Sequence, residues 1–290
     1  MAKRRPPTVH GLAIIDKPAG VTSHDVVNQL RKILGERRIG HAGTLDPDAT
    51  AVLLVGVGYV TRLMQFLSGM DKTYTAEVVF GTETNTLDSA GVVTATHDMP
   101  NLTIEKIREA AAKLTGQIMQ VPPMVSALRV DGRRLHELAR EGVVVERKAR
   151  PVTVYSYDVE PTQDPLVVRI EVRCSSGTYV RILAADLGTL LGGGAHLRNL
   201  RRTSIGDFTE HDALAPEQVK LLEPITALRS MTKVIADEAT ATAIRNGRSL
   251  PAWPGSSPWA VVNEQGALLA VYEADGEVAK PSVVLAEAIA

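Results

Sequence analysis

A single carboxylate, Asp46, stands immediately before Pro47 in the run Gly40-His41-Ala42-Gly43-Thr44-Leu45-Asp46-Pro47-Asp48-Ala49-Thr50. Proline disfavours the helical region for the residue before it, so Asp46 is expected in an extended or turn conformation, presented from a loop. Gly40 and Gly43 permit a tight backbone path or the close approach of a ligand. The run Val52-Leu53-Leu54-Val55 reads as a buried strand, a rigid base for that loop. A carboxylate so presented can act as nucleophile, general base or metal ligand. Asp-Pro is also a common turn starter, and that plainer reading stays open on this segment alone.

The elements that must position Asp46 suggest a large α/β body followed by a small β-rich end. Gly11 to Asp16 reads as a strand, with a turn at Lys17-Pro18-Ala19-Gly20. Thr22 and Asp25 form a capping-box pair, and Val26, Leu30, Ile33 and Leu34 keep helical spacing up to Gly35. Tyr74, Ala76, Val78 and Phe80 alternate as one face of a strand over 72–80. The spacing predicts a helix over 103–115 with Ile104, Ile107, Ala111 and Leu114 inward, closed by Gly116. Asp131-Gly132 signals a hairpin. Strands at 152–159 and 166–174 precede a helix from about Thr178 to Leu191, which Gly192-Gly193-Gly194 ends. Beyond 231 come a short helix ending at Asn246-Gly247 and short strands with turns at Gly266 and Gly276. Helices that do not alternate strictly with strands favour an α+β fold with a mixed, largely antiparallel sheet over a doubly wound one.

At 290 residues the chain suits one large domain and a small one. Its 44% hydrophobic and 22% charged content are ordinary for a globular protein, while only 4% aromatics leave the core to aliphatic packing. The one cysteine, Cys174, excludes an intramolecular disulfide and a cysteine-based zinc site, and reads as a core residue. No apolar run approaches the roughly eighteen residues of a spanning helix, and the basic start Lys3-Arg4-Arg5 lacks the apolar stretch of a signal peptide. A cytoplasmic protein without membrane contact is expected. The net charge of −1 divides into +5 over residues 1–206 and −6 beyond. Residues 129–150 hold seven basic groups against four acidic ones, and Arg198, Arg201 and Arg202 cluster further on. Such patches suit a polyanion, bound through phosphate contacts, or are simply solvated surface.

Two enzyme classes compete at Asp46. Asp46-x-Asp48-x-Thr50 matches the D-x-D-x-T element of magnesium-dependent phosphatases with an Asp nucleophile, and Gly206-Asp207 with Asp212 imitates their acidic metal motif. That element should follow directly on a hydrophobic strand, yet Gly40-His41-Ala42-Gly43-Thr44 precedes it. The second reading draws on more of the chain. Gly40 to Pro47 resembles the catalytic segment of the TruB family of tRNA pseudouridine synthases. Four further segments resemble the same family, in the same order: Ile15-Asp16-Lys17-Pro18-Ala19-Gly20-Val21-Thr22-Ser23, Lys72-Thr73-Tyr74 with Asp88-Ser89-Ala90-Gly91, Val121-Pro122-Pro123-Met124-Val125-Ser126-Ala127-Leu128, and Cys174-Ser175-Ser176-Gly177-Thr178-Tyr179-Val180-Arg181. Arg198 to Gly206 adds a Leu-Arg-Arg-Thr stretch. Together these cover residues 11–206.

The resemblance implies isomerisation of the T-loop uridine of tRNA, position 55 in tRNA numbering, to pseudouridine by base flipping, without cofactor or metal. It implies a pseudouridine synthase domain over 1–231 with flanking helices, an RNA-contacting insertion at about 124–152, and a small PUA-like domain over 232–290. Asp46 would be the nucleophile, attacking either the sugar or the base. Arg181 would be its partner, and Tyr74 would stack on the uracil near C5. His41, Lys17, Tyr179, Leu200 and Arg202 would meet the substrate. Arg129, Arg133, Arg134, Arg147, Lys148 and Arg150 would meet the RNA backbone, with Arg245 and Arg248 as the contacts of the last domain. The partner would be the T arm of tRNA, bound by a monomer with no obligatory protein partner. Two positions depart from the family pattern: Asp48 stands where an apolar residue is usual, and Ala51 where a glycine is usual. An alanine at a positive φ would be strained, and Asp48 would raise the pKa of its neighbour. The alternative is a TruB-like protein that binds and folds tRNA with impaired chemistry.

Overall fold

The structure is a computed structural model describing residues 6–126, 128–130, 132–143 and 145–285. It opens with strand β1 (Gly11–Lys17), helix α1 (Ser23–Leu34) and strands β2 (Ile39–Ala42) and β3 (Thr50–Val57). Thr22 caps α1 through its expected box with Asp25, and Gly35 closes it at φ 62°. Short helix α2 (Met64–Ser68) leads to β4 (Lys72–Phe80), then to the hairpin β5 (Thr82–Thr84) and β6 (Val93–Thr96), helix α3 (Ile104–Lys113) and β7 (Gly116–Gln120). A small hairpin, β8 (Arg129–Val130) and β9 (Arg133–Arg134), and helix α4 (Leu135–Arg140) form the insertion, although its turn residue Asp131 lies outside the described residues. β10 (Arg150–Pro161), β11 (Val167–Cys174), α5 (Val180–Leu190), β12 (Ala195–Ile205) and β13 (Phe208–Thr209) complete the large body. The small end holds β14 (Thr232–Ile235), α6 (Glu238–Arg245), β15 (Leu250–Pro251), β16 (Trp259–Val262), β17 (Leu268–Asp275) and β18 (Val278–Val284).

The large sheet runs β1-β3-β12-β4-β11-β10-β7, with β2 also on β3 and β13 on β12. Every pairing in it is antiparallel except β12 with β3. The fold is therefore α+β with a mixed, largely antiparallel sheet. Burial explains the two kinds of strand pattern. β3 is covered on both faces: Ala51, Leu53 and Val55 pack with α1, while Val52 and Leu54 pack with Ala260, Val262, Val271 and Val283 of the small end. A strand covered twice reads as a continuous apolar run. β4 and β11 have one open face, so they alternate, and Tyr74, Ala76, Val78 and Phe80 point to the helix-covered side. The small end builds its own five-stranded sheet, β14-β16-β17-β18-β15.

β12 carries no apolar pattern that would announce it, because Arg198, Asn199, Arg201 and Arg202 interrupt it. It is nonetheless the junction of the sheet, pairing Arg202 with Tyr74 on one side and with Ala51 on the other. Strain at position 51 is absent. Ala51 lies in β3, fully buried and opposite Lys17, and its φ is not among the positive values.

Candidate active site

The loop between β2 and β3 carries Asp46, and three ties hold it. The Leu45 N–H donates to the Ser23 hydroxyl at the start of α1, 3.1 Å away. The Pro47 carbonyl accepts from Lys17 Nζ at 2.8 Å and from the Gly20 N–H at 3.0 Å. Leu45 and Ala49 are buried on either side of the carboxylate and anchor the loop in the core. Asp46 therefore projects from a fixed backbone into a cavity of about 300 Å3, whose walls also include Gly43, Thr44, Lys72, Tyr74, Ser126, Tyr179, Arg181, Leu200 and Arg202.

Arg181, on the first turn of α5, is 3% exposed and faces two carboxylates. Its Nε and Nη2 lie 3.1 Å and 3.2 Å from the two oxygens of Asp46. Nη1 donates to Asp88 Oδ2 at 3.2 Å and to the Thr86 carbonyl at 3.0 Å, and Nη2 also donates to the Val125 carbonyl at 3.0 Å. Four hydrogen bonds and the close ionic contact of Nε with Asp46 hold the guanidinium, which fixes its plane and, with it, the carboxylate of Asp46. Burial pushes the pKa of Asp46 up; Arg181 opposes the rise, Asp88 adds to it, Lys17 opposes it and Asp48 adds to it. The side chain of Asp46 is still 39% exposed. That exposure is onto the cavity, whose walls replace most of its hydration, so the upward direction stands.

The same cavity lining also holds cations that have no carboxylate ion pair among the described residues. Arg202 is 1% exposed; its Nε and Nη2 donate to the Val52 carbonyl at 3.0 Å and 2.8 Å, and both Nη atoms lie 3.4 Å from the Gly43 carbonyl. The phenol of Tyr74 lies close enough to influence it electrostatically. Burial lowers the pKa of Arg202 and raises that of Tyr74. Lys72 shares the inward face of β4 with Tyr74, and its Nζ donates to the Ser68 and Met70 carbonyls at 3.1 Å and 2.6 Å. Its pKa is pushed down to about 8, first by burial and then by repulsion from Arg202. Beneath it, burial lifts the Cys174 thiol to about 11, which makes it an inert core residue.

The structure gathers Asp46, Tyr74, Arg181, Tyr179, Leu200 and Arg202 around one cavity. Lys17 stands behind the loop, fully buried, with Nζ on the Pro18 and Pro47 carbonyls and its pKa pushed down to about 8 by burial. His41, on β2, is half-buried outside the lining; its Nδ1 makes no hydrogen bond among the described residues, and burial lowers its pKa. On the insertion, Arg133 pairs with Glu141 and Arg147 donates to the Pro122 carbonyl, while Lys148 is exposed and Arg150 half-buried. The side chains of Arg129 and Arg134 lie outside the described residues. The arginine cluster on β12 is no free basic patch: Arg198 pairs with Glu77, Arg201 with Asp16 and Glu210, and Arg202 is buried. In the small end Arg245 pairs with Glu238, and Arg248 is exposed. Sequence reasoning missed Asp88 and Lys72 as site residues. The signal for Lys72 was its place two residues before Tyr74, which puts both on one face of a strand. Asp212 caps the turn after β13 and pairs with Arg229, so it is engaged away from Asp46. Among the described residues no three His, Cys, Asp or Glu side chains converge as metal ligands.

Comparison with known proteins bears on this geometry. Residues 31–180 match the TruB family pseudouridylate synthase N-terminal domain, and residues 181–231 match the tRNA pseudouridylate synthase B C-terminal domain. The tRNA pseudouridine synthase B of Arthrobacter sp. (strain FB24) is 43% identical over 295 residues, covering 95% of this chain and 96% of that one. That of Mycobacteroides abscessus is 42% identical over 285 residues, covering 95% and 96%. Among solved structures, a Cbf5-Nop10-Gar1 complex contains a chain that superposes with a TM-score of 0.71 at 25% identity, covering 94% of this chain and 83% of that one.

Proposed function

Since the chain belongs to the TruB family of pseudouridylate synthases, we propose that it isomerises uridine to pseudouridine in tRNA, at position 55 of the T loop. The observation that carries the reading is the two-point contact of Arg181 with Asp46 at the wall of a cavity that Tyr74 shares. The reaction breaks the bond between N1 and C1′, forms one between C5 and C1′, releases the proton of C5 to solvent and places a proton on N1, so that the product is an isomer of the substrate. Asp46 is the nucleophile, toward the sugar or the base, and Arg181 keeps it ionised against burial. Tyr74 faces the uracil. A base stacked in folded RNA must first be extruded to reach a carboxylate this enclosed, at a few kcal/mol. Phosphate contacts from Arg133, Arg147, Lys148 and Arg150, and from Arg129 and Arg134, offset that cost.

We propose action as a monomer on the T arm without an obligatory protein partner. A separate sheet beginning at Thr232 supports a division into a synthase domain over 1–231 and a PUA-like domain over 232–290. No described helix is long and apolar enough to cross a membrane. We place the enzyme in the cytoplasm, with its tRNA.

The test is tritium release from a T-arm hairpin carrying 5-tritiated uridine, comparing wild type with Asp46→Asn. Release by the wild type alone is expected, with RNA binding by the variant kept within several-fold. Release by Asp46→Asn would remove the nucleophile assignment. Tight binding with no release by either protein would favour a tRNA-binding protein over an enzyme. Turnover should persist in EDTA while the RNA stays folded; loss that magnesium restores would revive the phosphatase-like reading of Asp46-x-Asp48-x-Thr50.

A further inference from the structure

Gln120 is the last residue of β7 and is 3% exposed. Both ends of its amide are engaged by the backbone of one residue far away in sequence. Oε1 accepts from the Tyr179 N–H at 2.8 Å, and Nε2 donates to the Tyr179 carbonyl at 3.1 Å. Tyr179 occupies the N-cap position of α5, where no side chain caps the helix from within. Its carbonyl also accepts from the N–H groups of Ile182 and Leu183, so it is the first acceptor of the helix. Arg181 follows two residues later. A clasp on Tyr179 therefore fixes where α5 begins and the direction in which the guanidinium leaves it.

The same clasp sits at the root of the insertion. Immediately beyond Gln120 the chain passes through Val121-Pro122-Pro123 and delivers the Val125 carbonyl to Arg181 Nη2, then Ser126 to the cavity wall. Arg147, near the end of the insertion, returns to the Pro122 carbonyl. Gln120 thus joins the strand that leads into the insertion to the helix that carries Arg181. We propose that Gln120 is a positioning residue for the isomerisation: by holding both polar groups of the Tyr179 backbone it sets the guanidinium of Arg181, and through it the carboxylate of Asp46. This rests on the reading of Asp46 and Arg181 as the reacting pair. A glutamine that only satisfied a buried loop would contribute stability and leave the rate of the folded enzyme unchanged.

Gln120→Met keeps the length of the side chain and removes both hydrogen bonds. In the full-length enzyme acting on tRNA, its single-turnover rate should fall by roughly 100-fold, the penalty of about an ångström of misplacement at a reacting group. Its affinity for tRNA should change little. A folded Gln120→Met enzyme with the wild-type rate would overturn the proposal. Coupling adds a reading that a stabilising role would not move. In an Arg181→Lys background Gln120→Met should cost far less than in the wild type, because the interaction it tunes is already degraded. An undiminished cost there would show that Gln120 does not act through Arg181. If Gln120→Met fails to fold, Gln120→Glu takes its place in both measurements, keeping the acceptor for the Tyr179 N–H while setting a carboxylate against the Tyr179 carbonyl. Should the wild type make no pseudouridine, the reading of the reaction fails by itself. The clasp is then judged by amide hydrogen exchange at Tyr179, which should quicken in Gln120→Met and would refute the clasp if it did not.

Discussion

The two ends of the cavity handle buried charge in opposite ways. At one end Asp46, Arg181 and Asp88 form a chain of ion pairs in which the cation makes four hydrogen bonds and each carboxylate has a partner. At the other, Lys72 and Arg202 are buried against carbonyls and a phenol. Carbonyls orient a cation without neutralising it. The second end therefore shows its cost in titration: Lys72 falls to about 8 and Arg202 also shifts down. The first end shows it in Asp46, which burial raises despite its partner. Charge pairing thus fixes the Asp46 carboxylate in position, whereas charge left uncompensated creates a field in the cavity. Under the proposed reaction, a uracil entering that space meets the cations Lys72 and Arg202 as well as the carboxylate of Asp46. Preorganised dipoles and charges of this kind supply a large part of enzymatic rate enhancement.

Breaking the paired end should have the largest effect. Arg181→Met removes the main influence that keeps Asp46 ionised and leaves burial, Asp88 and Asp48 all pushing its pKa up. The single-turnover rate should drop by about 10²–10³-fold, as when one preorganised stabilising group is lost. The sign of the pH effect follows: the reaction needs the ionised carboxylate, so the acid limb of the pH–rate profile should move to higher pH than in the wild type. A slow variant with an unmoved acid limb would mean that Arg181 serves geometry and not ionisation.

The unpaired end should respond differently. Arg202→Met deletes a buried cation that has no carboxylate partner among the described residues, so the loss of hydrogen bonds is offset by relief of desolvation. Unfolding free energy should change by only about 1 kcal/mol, well below the 3–5 kcal/mol expected when one member of a buried ion pair is removed. Removing Arg202 also lifts the repulsion on Lys72, whose pKa should rise from about 8 toward its ordinary 10.5. Titration of the Lys72 ammonium by NMR reads this directly, and a pKa that stayed low would assign the whole depression to burial. With the donor wall weakened, turnover should also fall, though less than in Arg181→Met.

The contrast was only half visible in the sequence. Asp46 announced itself through Pro47 and its glycines, and the alternation over 72–80 placed Tyr74 correctly, because local steric rules and strand periodicity act within a few residues. Arg181 was found through resemblance, since nothing near it in sequence tells which carboxylate it will meet. Asp88 and Gln120 escaped notice for the same reason: each acquires its role by a contact 93 or 59 residues away. β12 was unreadable as a strand because its arginines are buried or ion-paired by neighbours that the chain supplies from β1, β3 and β4. The same blindness made its three arginines look like a patch for a polyanion.

Asp48 tests the smallest contribution to the comparison. It is exposed two residues from Asp46 and is the last of the influences that raise the pKa of that carboxylate. Its negative charge is also the first electrostatic influence opposing the fall of Lys17 behind the loop. Asp48→Asn should therefore move two groups down together. The acid limb of the rate should shift to slightly lower pH, because Asp46 loses a like charge, and Lys17 should titrate somewhat below its present value of about 8. Water and salt screen a group so exposed, so both shifts should shrink between 0.01 M and 1 M salt, where the Debye length falls from about 30 Å to about 3 Å. The rate near neutral pH should stay close to that of the wild type. A large loss of rate in Asp48→Asn would mean that the loop depends on this side chain for its shape. A large gain would mean that Asp48 had been repelling the phosphates of the bound RNA.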